Sequence, residues 1–246
     1  MFLLPIVTFS QIRDVQDCNG KVVKDIDGNI YNVIQIASQC WLKENLKVTK
    51  YRDGSSIPEI INDNVWGNLA SGGMCAYEHD AENVLIYGIL YNWFAVTDER
   101  GICPLGWHVP SDDEYVTLLI YLGPQIKEEG KYLMDSTLLN DLDFFFKDGW
   151  DLFFDIAGGK MKVKGTTYWS APNTDATNSS GFSVFPGGGR QSDGVFSNMY
   201  FEGNFWTSTE HTNENAWIKG FNFMYGDVLN DVRQKNYGYS VRCIKD

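Results

Sequence analysis

GICPLGWHVPSDDEYVTLLIYLG, residues 101–123, joins a cysteine–proline turn, a short aromatic strand and a well-marked helix. Ser111 with Glu114 three residues later is a capping box, which satisfies free backbone donors at a helix start. Asp112 and Asp113 fall in the first turn, where the helix dipole favours negative charge. Tyr115, Leu118, Leu119 and Leu122 recur at the spacing of one helical face, and Gly123-Pro124 marks a stop. The reading places this helix on the core and ties Cys103, just ahead of it, to another part of the chain.

Upstream, LIYGILYNWFAV (residues 85–96) is the most apolar run and reads as a core helix or strand. Residues 51–73 are rich in turn signals and read as an ordered surface loop. CWLKENL (residues 40–46) reads as one helical turn or a strand end, with Trp41 facing inward. In residues 21–37, two β-rich runs flank Asp27-Gly28, a strong hairpin signal. Asp25, Asp27 and Asn29 alternate as a calcium loop begins, but the downstream Glu of an EF-hand is absent, so the turn is preferred. Downstream, a helix is expected over residues 131–142, and Phe144 to Phe146 and Trp150 to Phe154 are strongly aromatic. From Gly158 the pattern becomes β-rich, with Pro186-Gly187-Gly188-Gly189 as a breaker and Arg190 in the same turn. NFWTS (204–208), AWIKGFNF (216–223) and GYSVRCI (238–244) read as short antiparallel strands.

The chain has 246 residues, 43% hydrophobic and 15% aromatic, so it can bury a core. Its net charge of −12 repels phosphate backbones and excludes nucleic acid as a natural partner. The first ten residues, MFLLPIVTFS, are too short to span a bilayer. They read as a signal-peptide remnant or as a buried N-terminal strand, and residues 11–246 read as a single domain. No transmembrane segment is expected. Cys18, Cys40, Cys75, Cys103 and Cys243 show no zinc spacing. In an exported chain they imply one or two disulfides and an odd thiol.

DIDGNIYNVIQIASQCWLKENL, YGILYNWFAV, ICPLGWHVPSDDEYVTLLIYLG, GGKMKVKGTTYW, SGFSVFPGGGR, FWTSTEHTNENAW and GYSVRCIKD appear in one order that resembles the Fibrobacter succinogenes major paralogous domain. This is a bacterial extracellular family placed with the C-type lectin-like fold. The resemblance covers nearly all of residues 18–246, and residues 127–155 look like an insertion. It implies an α+β domain of C-type lectin-like fold: a twisted antiparallel sheet, flanking helices, long loops and chain ends close together. It also implies a Cys103–Cys243 disulfide, whose long loop would contribute about 4 to 5 kcal/mol in the chain-entropy model. Cys40 is left to pair with Cys75 or Cys18.

A catalytic reading has little to rest on. No nucleophile elbow is present, and the PGGG run lacks the Lys and Ser/Thr of a phosphate loop. His108 reads as a structural hydrogen-bonding group. The carboxylate pairs Asp151/Asp155 and Glu210/Glu214 have nothing to fix the geometry that glycoside hydrolysis needs. The segment from Trp206 to Trp217 suits binding better. Glu210, Asn213, Glu214 and Asn215 are planar polar groups fit for sugar hydroxyls, and Trp206 and Trp217 offer ring faces, although both also read as framework. Calcium would need oxygen ligands, and the Glu-Pro-Asn or Gln-Pro-Asp triplet of calcium-dependent lectins is lacking, so no cofactor is assigned. The expectation is a secreted or cell-surface bacterial binding module without turnover, recognising a glycan or a surface protein. The alternatives are an enzyme on the formylglycine-generating scaffold, which needs a reactive cysteine pair, and a structural envelope component.

Overall fold

A carboxylate shapes the first hairpin. The computed structural model describes residues 17–123, 127–128, 131–132 and 156–246. Strands β1 (Val22–Lys24) and β2 (Ile30–Ile36) pair antiparallel, with Lys24 opposite Ile30. The Asp25 carboxylate accepts from the Asp27 and Asn29 amides at 3.0 and 2.9 Å, the Asn29 side chain at 2.8 Å and the Tyr31 hydroxyl at 2.7 Å. Asp25 and its neighbours thus form a turn wider than a two-residue hairpin loop, with Gly28 at φ 85°. CWLKENL begins as a strand: β3 (Gln39–Leu42) pairs with β2 and buries Trp41 completely.

The expected surface loop at residues 51–73 contains a helix, α1 (Asp63–Gly67), capped by Asn62 and burying Trp66. After β4 (Met74–Cys75), the apolar run at residues 85–96 is neither one helix nor one strand. It is split among α2 (Ala81–Tyr87), β5 (Leu90–Tyr91) and α3 (Trp93–Val96). Gly88 at φ 79° ends α2, and the Asn92 side chain caps α3. Leu85 is 74% exposed, so this run is not core throughout. Strand β6 (Trp107–His108) leads into α4 (Asp112–Leu122), whose capping box and four buried apolar residues follow the sequence reading. Gly123 stops it in extended conformation, at φ −61°, and not in the left-handed region.

Strands β7 (Lys127–Glu128) and β8 (Lys131–Tyr132) form a short hairpin where a helix was expected to begin at Lys131. The remainder of that helix, Phe144 to Phe146, Trp150 to Phe154, Asp151/Asp155 and the first ten residues lie outside the described residues. The stretch after Gly158 opens as α5 (Ala157–Met161), not as β structure. Next come β9 (Gly187–Arg190), β10 (Phe196–Met199), β11 (Glu202–Glu210), β12 (Asn215–Asn222), β13 (Leu229–Gln234) and β14 (Ile244–Lys245).

The glycine run predicted as a breaker is therefore a buried strand. Glycine is needed because a Cβ at residue 188 would lie 2.4 Å from the Ser197 carbonyl oxygen, and one at residue 189 would lie 2.5 Å from the Tyr239 ring. Arg190 has no exposed surface. Its guanidinium donates to the carbonyls of Gly194 at 2.8 Å, Ile60 at 2.5 Å and Ile61 at 3.1 Å, and pairs with Asp63 at 2.7 Å. It also lies over Trp66, 4.5 Å from the ring centre.

The result is a mixed α+β architecture built mainly on antiparallel sheets. One five-stranded sheet has the order β1-β2-β3-β14-β6 and the other β10-β9-β11-β12-β13, in which only the β9–β11 pair is parallel, and β4 with β5 forms a small antiparallel pair beside them. The segment read as the strand GYSVRCI is a seam between them. Gly238 bridges Arg190, Tyr239 bridges Tyr91, Ser240 bridges Phe205, and β14 then enters between β3 and β6. Arg242 lies fully buried in this seam, donating to the carbonyls of Leu42, Phe182 and Ser183 and to the Asn45 side chain. Burial pushes its pKa down to about 10. Helix α4 sets Tyr115, Leu118, Leu119 and Leu122 into the core cluster that contains Trp41, Phe182, Phe205 and Phe221.

Candidate functional site

The β11–β12 turn collects Glu210, Asn213, Glu214, Asn215 and Trp217. The register puts Trp206 opposite Ile218 but Glu210 opposite Ala216, so Thr207, Ser208 and Thr209 bulge against Trp217 alone. A bulge of this kind bends a strand and re-aims its side chains. Here the extra residues also dock the tip on the start of α4. The Ser208 amide donates to the Pro110 carbonyl at 2.8 Å, and the Asp112 amide donates to the Thr209 hydroxyl at 2.9 Å. Below them, buried Lys219 donates to Asp112 and Asn230, each at 2.6 Å. Burial lowers the Lys219 pKa, against the pull of Asp112.

The turn itself is folded by Thr212, whose hydroxyl accepts from the Glu214 and Asn215 amides and from the Asn215 side chain. Lys235 then pins it from beneath. Its amide donates to the Glu214 carbonyl at 2.9 Å, and its ammonium donates to the Asn213 carbonyl at 2.9 Å and to the Glu210 carboxylate. The ammonium also lies 4.5 Å from the centre of the Trp93 ring. The His211 ring meets the half-buried Trp217 edge to face at 4.9 Å. His211, Asn213 and Glu214 remain exposed.

Trp206 does not join them. It has no exposed surface, donates from its indole nitrogen to the Tyr91 carbonyl at 2.9 Å, and packs 5.2 Å from the Tyr239 ring. As a ligand contact it is corrected to framework, because a ligand would have to enter the core to reach it. Of the four polar residues expected to contact a ligand, Glu210 is engaged by Lys235 and Asn215 by Thr212, which leaves the side chains of Asn213 and Glu214. In β6, just ahead of α4, His108 bridges two carboxylates, with Nδ1 2.7 Å from Asp246 and Nε2 2.9 Å from Glu114. Burial works against a charged ring, but Asp246 and Glu114 outweigh it and raise the pKa. Among the described residues no three His, Cys, Asp or Glu side chains gather closely enough to hold a metal ion.

A family model described as the Fibrobacter succinogenes major domain matches residues 34–245. The chain belongs to that family. The match runs from within β2 of this major domain to β14 and takes in the whole tip, leaving β1 and Cys18 outside it. No curated protein and no solved structure matches the chain.

Two cystine bridges brace the major domain. Cys103 pairs with Cys243, as the resemblance implied, and Cys18 pairs with Cys40. Cys75 is left as a buried thiol, which burial pushes up to about 12. Among the described residues no helix is long and apolar enough to cross a membrane. The sequence reading missed Lys235 and Trp93. Lys235 sits in an ordinary polar run and Trp93 in an apolar one, and nothing local shows that the two meet. The one usable signal was indirect: a polar tip with several carbonyls needs a donor beneath it.

Proposed function

We propose that this Fibrobacter succinogenes major domain is a binding module without turnover, secreted or held at the bacterial surface, on a C-type lectin-like scaffold. The tip of the β11–β12 turn contacts the ligand, a glycan or a surface protein. The observation that carries this reading is the bracing of the tip. Thr212, Lys235 and the bulge fix the backbone, while Asn213, Glu214, His211 and the Trp217 ring remain accessible. Preorganised polar groups beside an aromatic ring bind without paying to order the loop. The two cystines support an oxidising compartment. The insertion of β14 beside β3 and β6 supports the lectin-like placement.

Two experiments test this. Residues 11–246 are applied to a glycan array in calcium and again in chelator. Glu214→Ala, with its unfolding curve unchanged, and Trp217→Ala, still folded though less stable, are each expected to weaken any captured glycan several-fold, as truncations at a recognition centre do. Undiminished binding by both variants removes the tip from the proposal, and an array without hits turns it toward a protein ligand. The formylglycine-type alternative needs a reactive cysteine pair. Thiol titration is expected to find none in the native chain and Cys75 alone after unfolding without reductant. Two titrating native thiols would revive the enzyme.

A further inference from the structure

A cleft of about 300 Å³ lies beside the Cys103–Cys243 bridge, away from the β11–β12 tip. One wall is the β1–β2 turn with Lys24 and Ile26, another carries Lys50 and Arg52, and the third is the turn holding Ile102, Pro104 and Leu105. The third wall is tied down by covalent and backbone bonds. Cys103 is bridged, the Trp107 amide donates to the Pro104 carbonyl at 3.0 Å, and the Asp246 amide donates to the Gly106 carbonyl at 3.1 Å. Yet Leu105 is 87% exposed and Ile26 47% exposed.

The charges are unusual for a chain of net charge −12. Three cations line the cleft. Lys50 is paired with Asp27 at 3.0 Å, while Lys24 and Arg52 form no ion pair among the described residues. Asp25, the lining carboxylate, is fully engaged by the four donors of the hairpin turn. Arg52 is also positioned. Its amide donates to the Gly101 carbonyl at 2.9 Å, and its guanidinium lies so close over Gly101 that a Cβ there would come within 2.1 Å of it. Gly101, at φ 70°, leaves the room that a side chain would fill.

We infer that this cleft binds a carboxylate carried on an aliphatic chain. The Arg52 fork and the Lys24 ammonium take the carboxylate, because charge-assisted donors of this kind suit a planar anion. Ile26, Pro104 and Leu105 cover the aliphatic part. A volume near 300 Å³ is at the small end of ligand sites and suits a short chain, not a polymer. The carboxylate belongs to a free aliphatic acid or to the C-terminus of a peptide ending in a branched aliphatic residue. The site stands independently of the β11–β12 tip.

The test is calorimetric titration of the full chain with octanoate and with N-acetyl-glycyl-leucine, each against its neutral amide. A carboxylate should bind about tenfold or more tightly than its amide, the worth of one charged hydrogen bond, and should weaken as salt is raised. Whichever carboxylate binds more tightly identifies the source. Arg52→Gln and Lys24→Gln, both on the surface, should each cost about tenfold, and Leu105→Ala a smaller factor. Glu214→Ala, at the tip, should change nothing. The proposal is overturned if the amides bind as well as the acids, if Arg52→Gln and Lys24→Gln bind normally, if inorganic phosphate competes as strongly as octanoate, or if neither acid binds.

Discussion

The capped helix at residues 112–122 and the glycine strand at residues 187–190 are held by opposite means. In the helix, Ser111 and Glu114 satisfy one another's backbone donors across three residues, and Glu114 also reaches His108. In the strand, Arg190 gathers carbonyls from residues 60, 61 and 194 and the Asp63 carboxylate, and it stacks on Trp66. The first element is organised by a carboxylate acting on its neighbours. The second is organised by a buried cation that collects distant loop carbonyls. Arg242 works in the second way, as does Lys162, whose ammonium donates to the carbonyls of Thr174, Asn222 and Tyr225. The long loops of this fold are thus tied by buried cations, while its regular elements are set by local caps.

If that division holds, losing a cation should cost far more than losing a cap. Arg190→Met strips the donors from buried carbonyls and should lower unfolding free energy by about 3 to 5 kcal/mol. Denaturant unfolding measures this, and a loss below about 1 kcal/mol would mean that the 60–63 segment is anchored by other contacts. Ser111→Ala removes the cap alone and should cost about 1 kcal/mol in the same assay. A loss as large as that of Arg190→Met would erase the contrast.

The smallest effect concerns His108. Its folded pKa lies above the unfolded value of 6.5, so its contribution is complete below that value and disappears as pH rises through the folded pKa. The ring is 39% exposed, so screening should keep the contribution below about 1 kcal/mol. Melting temperature should therefore decline from slightly acid to neutral pH, and His108→Asn should flatten that slope. An equal slope in the variant would assign the pH dependence to other groups.

The same division explains what the sequence made legible. The capping box, the Asp27-Gly28 turn, the inward Trp41 and the strands around residues 205 and 218 rest on contacts or periodicities within a few residues. The split of residues 85–96 into three elements rests on Gly88 and Asn92, whose caps lie inside an apolar run that hid them. The strand at Gly187–Arg190 was invisible because its glycines are set by the nearness of Tyr239 and Ser197, not by a local wish to turn. At the tip, residues 210–217 were legible as polar and aromatic. The burial of Trp206 and the grip of Lys235 were not, since both depend on partners far away in the chain.

The seam has a consequence in time. Residues 238–245 bridge both sheets, and Ile244 supplies the strand that joins β3 to β6. Until residues 243–245 emerge, β3 and β6 have no partner between them, and Cys103 waits for Cys243. The pairings that join the two sheets along this seam cannot form until residues 238–245 are in place. The domain therefore closes late, as a whole, and its two halves stay unjoined along this seam for as long as β14 is missing.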